Sequence, residues 1–195
     1  MHGSDFVVVE EPGTPVVRRI VGPKDRALAE AERAGLQVLV GRYSVHKYHR
    51  ERSPKNLYEV VECPPNLFLT AGVTRLWQLV AGDNSTHLDE NNARLCVGDS
   101  STAPSVTDQD LLGSNTFRKL VSDSPVISGR QITFSAEFET NEANFAWLEV
   151  GVSWAESGNN TLLSRTAISS PGLGTKVNTA VWVLNWTLGI STTAG

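Results

Sequence analysis

Apolar and polar positions alternate most clearly in the last third of the chain. Ile132, Phe134, Ala136 and Phe138 are interleaved with Thr133, Ser135 and Glu137, and a second series runs Trp182, Leu184, Trp186, Leu188, Ile190, with Val181 and Val183 between. A period of two marks strands with one face in a core and the other towards water, as in an antiparallel sheet. Shorter β-prone runs from Ala93 to Val97, Phe117 to Val121, Phe145 to Trp154 and Thr161 to Ile168 are separated by turn residues. Together with the stretches 131–138 and 177–190 they predict a mainly β protein, an antiparallel β-sandwich of jelly-roll-like type.

Two segments carry the helical period instead. Residues 23–34 are rich in helix formers, with Pro23 suited to a first turn and Gly35 to a stop. This predicts one short helix with Leu28 as its single large apolar side chain. In residues 70–82 the apolar positions Val73, Leu76, Trp77 and Val80 share one helix face, Thr70 is placed to cap, and Gly82 to end the helix. Leu36 to Val40 and Tyr43 to Val45 are strand candidates, with Gly41 between them reading as a bulge or turn.

Charge then divides the chain. Residues 1–62 hold 10 Lys/Arg and 9 Asp/Glu, and residues 63–195 hold 7 and 12, so the two parts carry +1 and −5 although the total is only −4. Four of the five tryptophans follow residue 140, which places the main core towards the C-terminus. The expected organisation is an extended N-terminal arm with a short helix over residues 1–62, joined to a sandwich over 63–195. With 195 residues, 40% hydrophobic and 19% charged, the chain can bury a core and is not of disordered composition. No apolar run has the roughly 18 residues of a membrane span, and Asp5 stands where a secretory leader would carry positive charge.

Enzyme constellations are absent from the pattern. There is no phosphate-binding Gly-x-x-x-x-Gly-Lys, no Gly-x-Ser-x-Gly elbow and no His-Glu-x-x-His. His2, His46, His49 and His87 all precede the strand-rich part, so Cys63 or Cys96 would need a histidine brought from elsewhere; both read as buried thiols. His46 and His49 would share a face if helical, but the cations around them disfavour a metal. The acidic stretch 83–92 lacks calcium-loop spacing, and Thr107 with Asp108 reads as turn chemistry. No catalytic residue, cofactor or metal is expected. Residues 41–56 carry five Lys/Arg against one acid, with Tyr43 and Tyr48 among them, which fits an acidic protein surface or plain solvent better than nucleic acid.

One ordered series of motifs stands apart from this reading. Pro65-Asn66-Leu67, Thr70-Ala-Gly72, Leu76-Trp77, residues 95–104 (Leu-Cys-Val-Gly-Asp-Ser-Ser-Thr-Ala-Pro), Asp110-Leu-Leu-Gly113, residues 143–149, Leu162-Leu-Ser-Arg165, Gly174-Thr-Lys176 and Trp182 resemble a family of structural proteins in tailed-bacteriophage virions. The resemblance covers residues 64–191. It implies a β-sandwich without catalytic activity, on the capsid surface as a decoration (cement) protein bound to the major capsid protein, or else in a tail, baseplate or fibre. A homotrimer with no membrane partner is the expected assembly. The arm would bind the partner through Phe6, Val8, Arg18, Arg19, Arg42, Lys47, Arg50 and Arg52, with Phe6 to Val9 adding a strand to a neighbouring sheet. Glu149 and Arg165 are placed to pair across adjacent strands. A carbohydrate-binding module using the tryptophans is a third reading.

Overall fold

The alternating stretch at 180–190 forms one of the two longest strands among the described residues, and it pairs on one side with the stretch at 131–138 and on the other with a strand near residue 40. The computed structural model describes residues 6–9, 14–83, 86–169 and 172–191. In order these form β1 (Phe6–Val9), β2 (Val16–Ile20), α1 (Pro23–Arg33), β3 (Leu39–His49), β4 (Leu57–Glu62), β5 (Leu67–Phe68), α2 (Thr70–Ala81), β6 (Arg94–Gly98), β7 (Thr116–Leu120), β8 (Val126–Ser128), β9 (Gln131–Phe138), β10 (Glu149–Ser153), β11 (Leu162–Ala167) and β12 (Ala180–Ile190). The fold is mainly β, as the alternation predicts. A seven-stranded sheet in the order β1-β2-β4-β3-β12-β9-β8 lies over a five-stranded sheet in the order β5-β11-β10-β6-β7. Every neighbouring pair is antiparallel except β2 with β4, which is parallel because α1 and β3 carry the chain back between them.

The core forms where the two inner faces meet. From the larger sheet come Tyr43, Val45, Val61, Phe134, Ala136, Phe138, Trp182, Leu184 and Trp186, and from the smaller one Leu95, Val97, Val150, Val152 and Leu163. At its centre the Trp147 ring meets Phe138 and Trp182 edge to face, each with centroids 4.8 Å apart, and its indole N–H donates to the Ala143 carbonyl. Edge-to-face geometry places a positive ring edge on a negative ring face, which adds to the large area these side chains bury.

The boundary expected at residue 62 is not a structural one. β3 pairs with β12 from Leu39–Ile190 to His49–Ala180, and β2 and β4 extend the same sheet. Residues 16–62 therefore supply three strands of the larger sheet rather than an arm. The misreading has a physical cause: β3 and β4 carry charge on both faces, and that charge is neutralised inside the protein, as shown below.

Other corrections are local. Gly41 is no bulge; β3 runs straight through it, because a Cβ there would lie 2.6 Å from Asn66 Oδ1 and 2.8 Å from Trp186 Nε1. β10 begins only at Glu149, since Ala146 makes an isolated bridge to Thr175 instead of a ladder. Gly82 ends α2 in the left-handed region, φ 76°, as expected, but Leu69 rather than Thr70 is the cap residue. α2 also turns a different face inward. Its buried residues are Gly72 and Arg75, Leu76 packs on the core edge, and Trp77 and Val80 are 63% and 80% exposed. A Cβ at residue 72 would collide with the Leu163 backbone, so glycine there lets the helix lie directly on β11.

Because residues 16–62 form the core's second half, removal of residues 1–62 is expected to abolish folding. The truncated chain should lack the near-ultraviolet tryptophan circular dichroism and the cooperative thermal transition of the intact protein. A cooperative transition in the fragment would contradict the integrated sandwich.

Candidate functional site

Three features concentrate the chemistry of this chain, two buried groups of polar residues and the edges of the larger sheet. The first sits between the sheets. β2, β4 and β3 turn Arg18, Glu59 and Lys47 inward, beside the apolar Val61. Arg18 Nε donates to Glu59 Oε1 at 3.0 Å, and Lys47 Nζ donates to Glu59 Oε2 at 2.6 Å. Lys47 also donates to the Leu173 carbonyl and lies 4.4 Å from the centroid of the Trp182 ring, while Arg18 reaches the Gly172 carbonyl at 3.1 Å. The cluster thus ties the turn before β12 to the sheet. Burial raises the Glu59 carboxyl, but hydrogen bonds and charge from Lys47 and Arg18 outweigh it and hold the group below its ordinary 4.5. Burial lowers Lys47, and Glu59 opposes that shift only in part.

The second group lies on the outer face of the smaller sheet under the loop 99–115. Arg165 and Glu149, both fully buried, meet with Nε to Oε2 at 2.6 Å, the cross-strand pair their positions predict. Arg165 also donates to Asp108 Oδ2 at 2.9 Å and to the Thr102 carbonyl at 2.9 Å. Glu149 accepts from the backbone amides of Leu112 (3.0 Å) and Gly113 (2.6 Å). Asp108 accepts from the Ser105 amide, completing the expected turn. Beside them Arg118 joins Asp110 Oδ1 (2.6 Å), Ser153 Oγ, Thr161 Oγ1 and the Ala155 carbonyl, and so holds the loop to the β10–β11 connection. Gly98, opposite Glu149 in β6, leaves room for the carboxylate that a Cβ would displace.

The residues expected to form a basic partner surface are dispersed. Lys47 is buried and unavailable, and Arg18 is half-buried in the first cluster. Arg42 pairs with Asp25 of α1 at 3.0 Å, Arg19 with Glu62 at 3.8 Å, and Arg52 with Glu137 at 3.1 Å. Arg50 is exposed in a left-handed turn, φ 62°, beyond the end of β3 opposite to Arg42. Neutralisation by acids of the same chain replaces the expected continuous patch. Phe6 and Val8 lie on β1, at an edge of the larger sheet, where β1 pairs with β2 from Phe6–Ile20 to Val9–Val17; their side-chain contacts lie outside the described residues.

The cysteines and histidines expected as the alternatives for catalysis or metal binding are kept apart. Burial pushes the Cys63 and Cys96 thiols up to about 12, and they lie in separate core clusters. A thiol at that value is not a thiolate at neutral pH. His46 and His49 are on a strand, where a spacing of three sends side chains to opposite faces, and His49 stacks on Tyr58 at 4.3 Å. No group of metal-ligating side chains occurs among the described residues, and no described helix is long and apolar enough to cross a membrane. Trp182, Trp186 and Trp147 belong to the core, and the Arg75 guanidinium covers Trp154 at 5.2 Å, leaving Trp77 as the tryptophan with an exposed ring.

The third feature is the pair of open edges of the larger sheet. β8 carries Val126 and Ile127, 65% and 76% exposed, and among the described residues pairs only with β9. The sequence reading missed this edge because Val126-Ile127 is too short a run to show alternation. No family model, no curated protein and no solved structure matches this chain.

Glu59 sets an acid limit on stability. Its carboxyl is held below 4.5 in the folded chain, so the unfolded chain takes up a proton first as pH falls; stabilisation present above about pH 4.5 is lost through the folded-state value. Glu59→Gln is therefore expected to lower the thermal midpoint at neutral pH and to flatten its fall between neutrality and acid. Glu149→Gln leaves Arg165 short of a buried countercharge, and a loss of about 3–5 kcal/mol in chemical denaturation is expected, with protease sensitivity appearing first in the loop 99–115.

Proposed function

We propose that this chain is a non-enzymatic virion structural protein, a capsid decoration protein that binds the major capsid protein lattice as a homotrimer and stabilises the head. The observation that carries the reading is where the chemistry goes. The buried ion pairs and both thiols serve the sandwich itself, and the features left over for a partner include open strand edges carrying apolar residues. Such edges recruit other chains by backbone pairing. The virion setting rests on the ordered motifs between residues 64 and 191.

The attachment logic differs from that of a long arm. The strands β2, β3 and β4 are committed to the sheet, so contact with the lattice falls to β1, to α1, none of whose residues is buried, and to the exposed side chains of Arg19, Arg50 and Arg52. Copy number tests the proposal. Quantitative gel or mass-spectrometric analysis of purified particles should find this chain at nearly the abundance of the major capsid protein. A few copies per particle would overturn the decoration role and place the protein in a tail, baseplate or fibre.

A further inference from the structure

The two edges of the seven-stranded sheet have matching properties. Five of the six junctions between β1 and β8 are antiparallel and one is parallel, so β1 and β8 run in opposite directions. A second copy rotated about an axis along the strands keeps its strand directions. Its β1 would therefore meet β8 of the first copy antiparallel, as most junctions within the sheet already do. Both edges are apolar and free of charge within the strand: Phe-Val-Val-Val in β1, and Val-Ile-Ser in β8 with Val126 and Ile127 largely exposed. Edges exposed in this way template further pairing unless protected by charge or by a covering segment.

Register follows from faces. Residues opposite one another across a junction share a face of the sheet. Ile127 is paired with Ile132, whose face is the core side, and Val8 is paired with Arg18, which is paired in turn with the core residue Val61. Val8 and Ile127 are therefore on the same face, whereas Val7 and Val9 are on the other. Setting Val8 against Ile127 pairs all three residues of β8 within β1, Val9 with Val126 and Val7 with Ser128. The other face-matched register within β1, Phe6 against Ile127, sets Val8 against Pro125, which has no N–H to donate to a ladder. We propose that the protein self-associates head to tail, β1 of one copy adding antiparallel to β8 of the next with Val8 opposite Ile127. The joint is heterologous, so it builds a ring where the rotation between copies closes, and never a two-fold dimer. The inference rests on the proposed self-association and not on the virion location.

Cross-linking of the full chain tests it. Within one copy the two positions stand six junctions apart, about 29 Å at roughly 4.8 Å per strand, and the native cysteines are buried and free. Val8→Cys combined with Ile127→Cys should, on mild oxidation, form disulfide-linked multimers that reducing agent dissolves, while either substitution alone should form none. In sedimentation, Ile127→Lys, at an exposed position, should shift the wild-type oligomer to a single chain with its thermal midpoint unchanged. Cross-linking by Ile127→Cys alone, which reports β8 against β8, would overturn the proposal. So would absence of cross-links in the double variant, or a wild type that sediments as one chain. None of these outcomes bears on copy number in particles, so the two readings fail separately.

Discussion

The ladder between β3 and β12 is the constraint on which the rest of the structure depends. It joins Leu39 to Ile190 and His49 to Ala180, segments separated by most of the chain. β4 and then β2 attach on one side of it, and β9 on the other. Without it the inner face of β12, with Trp182, Leu184 and Trp186, has half a sheet to pack against and no cover for its other edge. The entropic cost of bringing such distant segments together grows only slowly with separation, but contacts of this range slow folding, because closure precedes the burial that rewards it.

Charge inside the sandwich works through the loops. Arg18 and Lys47 each satisfy a backbone carbonyl of the turn at 172–173 while sharing Glu59. Glu149 satisfies the amides of Leu112 and Gly113, and Arg165 the carbonyl of Thr102. In both clusters an ion pair anchored on strands reaches irregular backbone that no ladder satisfies. A buried pair adds little net stability against an apolar replacement, whereas loss of one partner strands the other charge. Its contribution is to fix which loop conformation lies on the sheet, since only one arrangement completes every hydrogen bond.

The legible parts of the sequence are those where one physical signal dominates. β9 has the expected bounds, Gln131–Phe138, and β12 follows from its alternating tryptophans, because a period of two with aromatic residues on one side has a single reading. Glu149 and Arg165 were legible as a pair because both stand among apolar strand residues, where an unpaired charge would be costly. Lys47 and Glu59 were not. Lys47 follows His46 in a basic stretch and Glu59 interrupts Leu57 to Glu62, so each argues against burial on its own. Only the β3–β4 register, which sets Lys47 against Glu59, shows that they cancel. α2 misleads for a related reason: the contact with β11 needs the small Gly72, and Arg75 is buried over Trp154, so Trp77 and Val80 of the conspicuous stripe turn outward.

The difference in sheet size explains why the edges are where a partner would bind. Five strands cannot cover seven, and the buried residues of the larger sheet come from β2, β4, β3, β12 and β9 but not from β8. β8 thus lies outside the buried core: Ile127, on the core-side face with Ile132, stays 76% exposed, and Val126, paired with Thr133 on the opposite face, 65%. Proteins blunt such edges by shortening the strand or by placing proline beside it, and β8 has three residues preceded by Pro125. These devices limit how far pairing extends without removing the donors and acceptors of the strand itself. An edge limited in this way takes one short strand rather than a long one, and whether copies joined through it close depends on the rotation between them and not on the length of the edge.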